Sequence, residues 1–427
     1  MYLLPCFGAY FGRIGGGLAD VLCCICMWFG CWVYKDRAFE GDKALGSVDK
    51  KVDWVRALDL DVGAQEEDKK MRLFRGIEPA DVCQGALGDC WLVGAMAGLA
   101  EYPAAVRNCF VNVEASSRGK YQVRLWCGRA DRWITVTVDD RVPCLPGTKS
   151  CIFMQPNGGE MWTILLEKAF AKFCGSYGNL KGGFAGFAWH CMTGDYVFQF
   201  HLDKSKGVWE RKDLVFGGKS VGGAAERCDH WFGSSRLEGA DRDADAFFSV
   251  LLQYSHKQSL MGAFFHVAGG GESVQSSGLV AGHLYSILDV RRAGTTLGMG
   301  RGYRLVKLRN PWASGEWRGA WSDGSDEWRK HPSVKTEVGY EDKDDGSFWM
   351  AYEDFAATFT AVEICDRTTK NDLCLDVRED AGACGPALGC VAGCAGFWCL
   401  CRGARTVYLG NTTSNKTERG AGCCVTK

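Results

Sequence analysis

Asp81-Val82-Cys83-Gln84-Gly85-Ala86-Leu87-Gly88-Asp89-Cys90-Trp91 is the stretch that decides how this chain is read. Cys90 opens an apolar run, Trp91 to Ala100, that Pro103 brings to an end, which predicts a helix with the sulfur at its positive end. A thiolate is favoured there. Upstream, Gln84 supplies an amide whose N–H, together with the Cys90 backbone N–H, suits a developing oxyanion. Trp91 follows as a support for the helix start.

A thiolate needs a base, and the downstream sequence offers one. Gly278-Leu279-Val280-Ala281-Gly282-His283 puts a histidine at the head of an alternating run, Leu284 to Val290, that reads as a strand. A second strand, Tyr303 to Arg309, ends in Asn310-Pro311-Trp312. The order Cys, His, Asn is that of papain-type nucleophilic catalysis: histidine serves as base and acid, and asparagine fixes its tautomer. An isolated cysteine or histidine is more often a packing residue. The constellation is what inverts those odds.

With these blocks in place the chain resembles the calpain cysteine proteases. Gln84 to Trp91, the glycine-rich block ending at His283 and Arg309-Asn310-Pro311-Trp312 occur in family order, as do Trp162 to Lys172, Glu316 to Asp323 and Asp345 to Met350. The resemblance covers about residues 70 to 365 and implies an α+β, papain-like two-lobe core, with a helical first lobe and a β-rich second lobe. The expected bounds are 51–197 and 198–366. It implies Cys90 as nucleophile, His283 as base, Asn310 as orienting residue and Gln84 as oxyanion donor, with Trp312 covering the His283–Asn310 bond and Trp91 supporting the nucleophile. A transglutaminase shares the Cys-Trp helix start, but its third residue is Asp.

The resemblance also implies one calcium ion per lobe. The first-lobe ligands would be the carbonyls of Phe74 and Gly76 and the carboxylate of Asp81. The second-lobe ligands would be Glu316, Asp323, Asp345 and the carbonyl of Lys343. Two family carboxylate positions hold Gly178 and Ser347 here. Since calcium takes six to eight oxygens and its affinity follows ligand charge, both sites are expected to be weak.

The chain has 427 residues and a formal net charge of −1, so it carries no nucleic-acid footprint. Its 23 cysteines are an odd number in a long chain, which suits a reducing, cytoplasmic setting better than a disulfide framework. Five precede residue 50 and eight follow residue 366. The segment 1–50 reads as a cysteine-rich apolar attachment segment and linker, and 367–427 as a cysteine-rich tail. Cys23, Cys24, Cys26 and Cys31 lie in an apolar run too short to span a bilayer; with Cys399, Cys401, Cys423 and Cys424 they are candidates for acylation and peripheral membrane attachment. Their spacing is poor for tetrahedral zinc. Within 36–70, Val52 to Leu60 reads as a short helix.

Together these readings give the expectation of a calcium-regulated cysteine endopeptidase acting on protein substrates, with no regulatory subunit indicated. A silent scaffold or calcium-binding interaction protein is the rival. After the β-rich lobe there is no EF-hand loop pattern.

Overall fold

The computed structural model describes residues 33–61, 71–157, 159–216, 232–267, 273–295, 302–312, 315–343 and 345–366. The acylation candidates all lie outside these residues.

The first half begins with α1 (Gly41–Leu45) and β1 (Asp53–Arg56), followed by α2 (Cys90–Ala100) and α3 (Pro103–Cys109). A hairpin, β2 (Lys120–Cys127) and β3 (Arg132–Asp139), leads into β4 (Arg141–Cys144), and then come α4 (Trp162–Cys174) and α5 (Ala185–Thr193). In the hairpin Trp126 lies opposite Trp133. The expected helix over Val52 to Leu60 does not form. Asp53 to Arg56 pair antiparallel with Arg141 to Cys144, and only a 3₁₀ turn, Ala57–Asp59, follows. Three intermediate residues in a row on a two-stranded ribbon carry no helical stripe, so the partner strand decides. Around it, Phe39, Leu45, Val48, Ala57 and Leu60 are buried in the first core.

That core is built around α2, in which Trp91 to Ala100 are all buried. A helix apolar on every side belongs inside a domain. Its two glycines have a specific use. Cys90, Gly94 and Gly98 recur every fourth residue and so share one face. A Cβ on Gly94 would come 2.7 Å from Leu284, and one on Gly98 would come 3.4 Å from Ser286. The bare face lets a strand of the second half lie directly on the helix that carries Cys90.

The second half consists of β5 (Tyr196–Asp203), β6 (Val208–Phe216), β7 (Phe232–Arg236), α6 (Ala244–His256), β8 (Leu260–Phe264), β9 (Ser273–Val274) and β10 (Val280–Ala281). It continues with β11 (Leu284–Ala293), β12 (Tyr303–Arg309), the short helices α7 (Asp326–Lys330) and α8 (Pro332–Val338), β13 (Ser347–Ala351), α9 (Tyr352–Thr358) and β14 (Ala361–Asp366). Eight strands form one antiparallel sheet in the order β13-β12-β11-β8-β14-β5-β6-β7. Its core residues, among them Phe198, Phe247, Tyr285 and Phe348, form a cluster separate from the α2 core. The two clusters meet opposite faces of the sheet: Val197, Leu260, Leu284 and Cys365 join the α2 core, and Phe198, Met261, Tyr285 and Ile364 join the second.

Buried polar contacts join the two halves. Ser286 on β11 donates to the carbonyl of Gly94 on α2 at 3.5 Å, and Glu363 on β14 accepts from the Gly186 N–H of α5 at 2.7 Å while also taking the Gln199 amide of its own half at 2.5 Å. Burial pushes the Glu363 carboxyl up to about 7. Arg309 reaches Glu101 at 3.8 Å. Together with the Leu284 contact on α2, these set the helix that Cys90 opens against the strand that begins beside His283.

Candidate active site

Cys90 is the first residue of α2 and is half-buried as a thiol. Trp91 anchors the helix start: its indole N–H donates to the Leu180 carbonyl at 2.8 Å, and Gly183 lies flat on its ring, where a Cβ would sit 2.4 Å from a ring atom. The residue ahead of the thiol, Asp89, is buried and faces Glu167 on α4, itself fully buried. Burial pushes Asp89 up to about 7, and burial together with the Asp89 carboxylate raises Glu167 well above its ordinary range. Such a pair holds at least one proton. The helix end that faces the thiol is therefore spared a double negative charge. This pair is absent from the sequence reading, although a Glu-Lys step inside Leu165-Leu166-Glu167-Lys168-Ala169-Phe170 is a visible signal, since buried charges need partners.

The loop before α2 is clamped to the segment 151–155. Ala86 N–H donates to the Ile152 carbonyl at 2.9 Å, Gln155 N–H donates to the Cys83 carbonyl at 2.9 Å, and Met154 N–H donates to Glu167 at 3.1 Å. Gly85 is required there, because a Cβ would lie 1.6 Å from the Phe153 carbonyl oxygen. On this loop the Gln84 amide donates one hydrogen to the Leu87 carbonyl at 3.1 Å, and its oxygen accepts from the Trp312 indole at 3.0 Å.

His283 is fully buried, and its Nε2 lies 3.0 Å from Asn310 Oδ1. Asn310 is held in one orientation: its Nδ2 donates to the Gly315 carbonyl at 3.1 Å and its Oδ1 accepts from the Trp312 N–H at 3.1 Å. Nε2 must therefore carry the proton that Oδ1 accepts, which makes Nδ1 the basic atom of the neutral ring. The Trp312 ring covers the histidine at 4.3 Å between centroids. Gly282, with φ of +72°, turns the chain just before the histidine. A cleft of about 620 Å³ runs between the Gln84 loop and Pro311-Trp312. The predicted nucleophile, oxyanion donor, base and orienting residue thus sit on elements packed together, though 226 positions of chain separate Gln84 from Asn310.

The expected calcium ligands are less well gathered. Among the described residues no three His, Cys, Asp or Glu side chains form a group able to hold a metal ion. In the first half Asp81 accepts from the Glu78 N–H at 2.8 Å and from the Trp162 indole at 3.4 Å. Arg75 and Gly76 turn their amides onto Glu160, a residue the sequence reading did not single out. Gly178, in place of the family carboxylate, has a packing reason: a Cβ there would lie 2.7 Å from the Ser47 backbone nitrogen. In the second half Glu316 accepts from the Gly346 N–H at 2.9 Å and Asp345 from the Ser347 N–H at 2.9 Å. Asp323 keeps one buried carboxylate oxygen without a hydrogen-bond donor. Burial and, secondarily, the carboxylates of Asp342 and Asp345 push it up to about 6. That donor chemistry suits a hard cation better than the first-half set does.

Comparison with known proteins agrees with this geometry. A sequence profile described as "Calpain family cysteine protease" matches residues 34–366. The chain is 33% identical over 315 residues to the calpain-type cysteine protease DEK1 of Arabidopsis thaliana, which covers 73% of this chain and 13% of that protein. It is 30% identical over 350 residues to the calpain-1 catalytic subunit of Rattus norvegicus, covering 79% of this chain and 42% of the relative, and 31% identical over 303 residues to calpain-9 of Homo sapiens, covering 69% and 37%. The chain thus spans less than half the length of these relatives. With a matching profile over most of its length and the papain-like α+β core described above, the chain belongs to the calpain family of cysteine proteases.

Proposed function

We propose that this chain is a cysteine endopeptidase that makes limited cuts in extended segments of protein substrates. The observation that carries this reading is the 3.0 Å bond from His283 Nε2 to a doubly anchored Asn310, on a strand lobe packed against the helix that Cys90 opens. His283 Nδ1 takes the Cys90 proton, and the thiolate attacks the substrate carbonyl carbon. The oxyanion receives the Cys90 N–H, one of the unpaired donors of a helix's first turn, and a hydrogen of the Gln84 amide. The imidazolium then protonates the leaving amine, and a water deprotonated by His283 hydrolyses the thioester. The test is casein or fluorogenic-peptide cleavage by the full chain. Cleavage abolished by Cys90→Ala supports the reading, and its absence from a folded wild type moves the weight to a silent scaffold.

Calcium regulation belongs to the same proposal, centred on Glu316, Asp323, Asp345 and the Lys343 carbonyl. In the Cys90→Ala variant calcium should raise the melting temperature, and Asp323→Asn should remove that rise. A cytoplasmic, membrane-peripheral location rests on the terminal cysteine clusters. No helix of the described residues is long and apolar enough to cross a membrane. Replacing Cys23, Cys24, Cys26, Cys31, Cys399, Cys401, Cys423 and Cys424 by serine should release the protein from membranes on fractionation, and retention would end that part of the proposal.

A further inference from the structure

One buried pair of thiols has no part in the catalytic scheme. Cys144, the last residue of β4, lies directly opposite Cys151 across a short antiparallel turn. The flanking bonds run from Leu145 N–H to the Ser150 carbonyl at 2.9 Å and from Ile152 N–H to the Pro143 carbonyl at 3.0 Å. Bonds on the outer neighbours, with none between the two residues themselves, mark a non-hydrogen-bonded cross-strand pair, in which Cα atoms stand about 4.5 Å apart and the side chains approach closely. Disulfides accept Cα separations of about 4.4–6.8 Å. Both side chains are buried, but the six residues that link them, 145–150, are exposed, so a small reagent has only a short turn to displace.

We infer that Cys144 and Cys151 form a redox-active pair, closed to a disulfide by hydrogen peroxide, whose state sets the rigidity of the loop that carries Gln84. The link to that loop is direct. Cys151 begins the 151–155 segment that clamps it: Ile152 and Gln155 hold Ala86 and Cys83 through backbone bonds, and the Gln155 amide also donates to the Cys151 carbonyl. A covalent tie at 144–151 fastens this clamp to β4, which is itself paired with β1. The facing Cys151 thiol holds the Cys144 pKa below its ordinary value, so in this scheme Cys144 is the sulfur that reacts first. Its thiolate attacks the peroxide oxygen, breaking the O–O bond and giving a sulfenic acid and hydroxide. Cys151 then displaces hydroxide from that sulfur as it loses its proton. In sum two S–H bonds and one O–O bond break, one S–S bond forms, the peroxide takes two electrons, and two waters leave. The regulatory meaning rests on the role proposed for Gln84; the disulfide itself does not.

The test uses the full chain carrying Cys90→Ala, so that no result depends on proteolysis or on oxidation of the nucleophile. After hydrogen peroxide and alkylation of the remaining thiols, trypsin should release peptides 142–149 and 150–168 joined as one species, two mass units below their sum, and separated by dithiothreitol. Amide exchange at Ala86 and Gln155 should slow at least threefold in the oxidised protein, and not when Cys144→Ala is added. Full alkylation of both cysteines after peroxide overturns the pair. A linked pair with unchanged exchange at both amides overturns the coupling to the loop. If Cys144→Ala does not fold, the reduced and oxidised parent give the same comparison.

Discussion

The lobe that carries Cys90 places charge inside an apolar helical core, whereas the lobe that carries His283 fixes its base through a backbone ladder. Asp89, Glu167, Lys168 and Asp139 are all buried in the first, and the Lys168 ammonium pairs with Asp139. In the second, β11 is paired along one edge with β8 and along the other with β12, and Asn310 follows the last residue of β12. A buried polar network is stable only while every member keeps its partner. A strand held on both sides tolerates side-chain loss far better, because its register is set by the backbone. The nucleophile side and the junction at Glu363 should therefore be sensitive to protonation and packing, and the ladder that holds β11 and β12 should fail only when the reacting groups themselves are changed.

The largest expected effect treats the halves alike. Cys90→Ala and His283→Ala should each lower kcat/KM by roughly 10⁴-fold or more, since acting as a unit makes the loss of either member nearly total. Residual cleavage by either variant above a hundredth of wild type would break the assignment. Asn310→Ala should cost roughly 10²- to 10⁴-fold, in kcat, with folding preserved because β12 keeps its ladder. Loss of the fold instead would make Asn310 a structural residue. Gln84→Ala should cost roughly 10²- to 10³-fold in kcat with KM little changed, and a change confined to KM would show that the amide binds substrate rather than the oxyanion.

A smaller effect separates the packing of the halves by pH. Glu363 at their junction has a folded pKa raised to about 7 by burial, above the ordinary 4.5. The unfolded chain releases this proton first, so the stability it contributes is full below about pH 4.5 and is lost as pH rises through about 7. Glu363→Gln should remove this slope, a difference on the order of 1–3 kcal/mol between wild type and variant across the window. His190 is lowered to about 4 and acts oppositely at lower pH, so the difference between the two proteins, by denaturant melts at pH 5 and pH 8, is the quantity to compare. Parallel curves would mean that Glu363 is solvated in solution.

Local sequence carried far into this structure where one segment could satisfy itself. The helices at Cys90, Trp162 and Ala244, and the Trp126–Trp133 hairpin, follow from apolar periodicity, a proline stop and a turn between alternating runs. Val52 to Leu60 misled because its partner, Arg141 to Cys144, is more than eighty residues away and nothing local announces it. The Asp89–Glu167 pair stayed hidden for a similar reason. Each residue alone reads as an ordinary polar position, and only the packing of α2 against α4 removes both from water.

The sequence by itself determined which chemical groups are present and their order along the chain: a thiol at a helix start, an amide upstream, an imidazole before a strand and an amide after the next. These are short-range properties of spacing and residue type. What only the tertiary structure decided is that the bare face of Gly94 and Gly98 admits Leu284 and Ser286, that the Asn310 oxygen meets Nε2 of His283, which leads the neighbouring strand, so that Nδ1 is the base, and that Gly178 yields its space to Ser47. Each of these depends on contacts between segments remote in sequence, where packing at van der Waals distance leaves no freedom that a pattern of residues could have revealed.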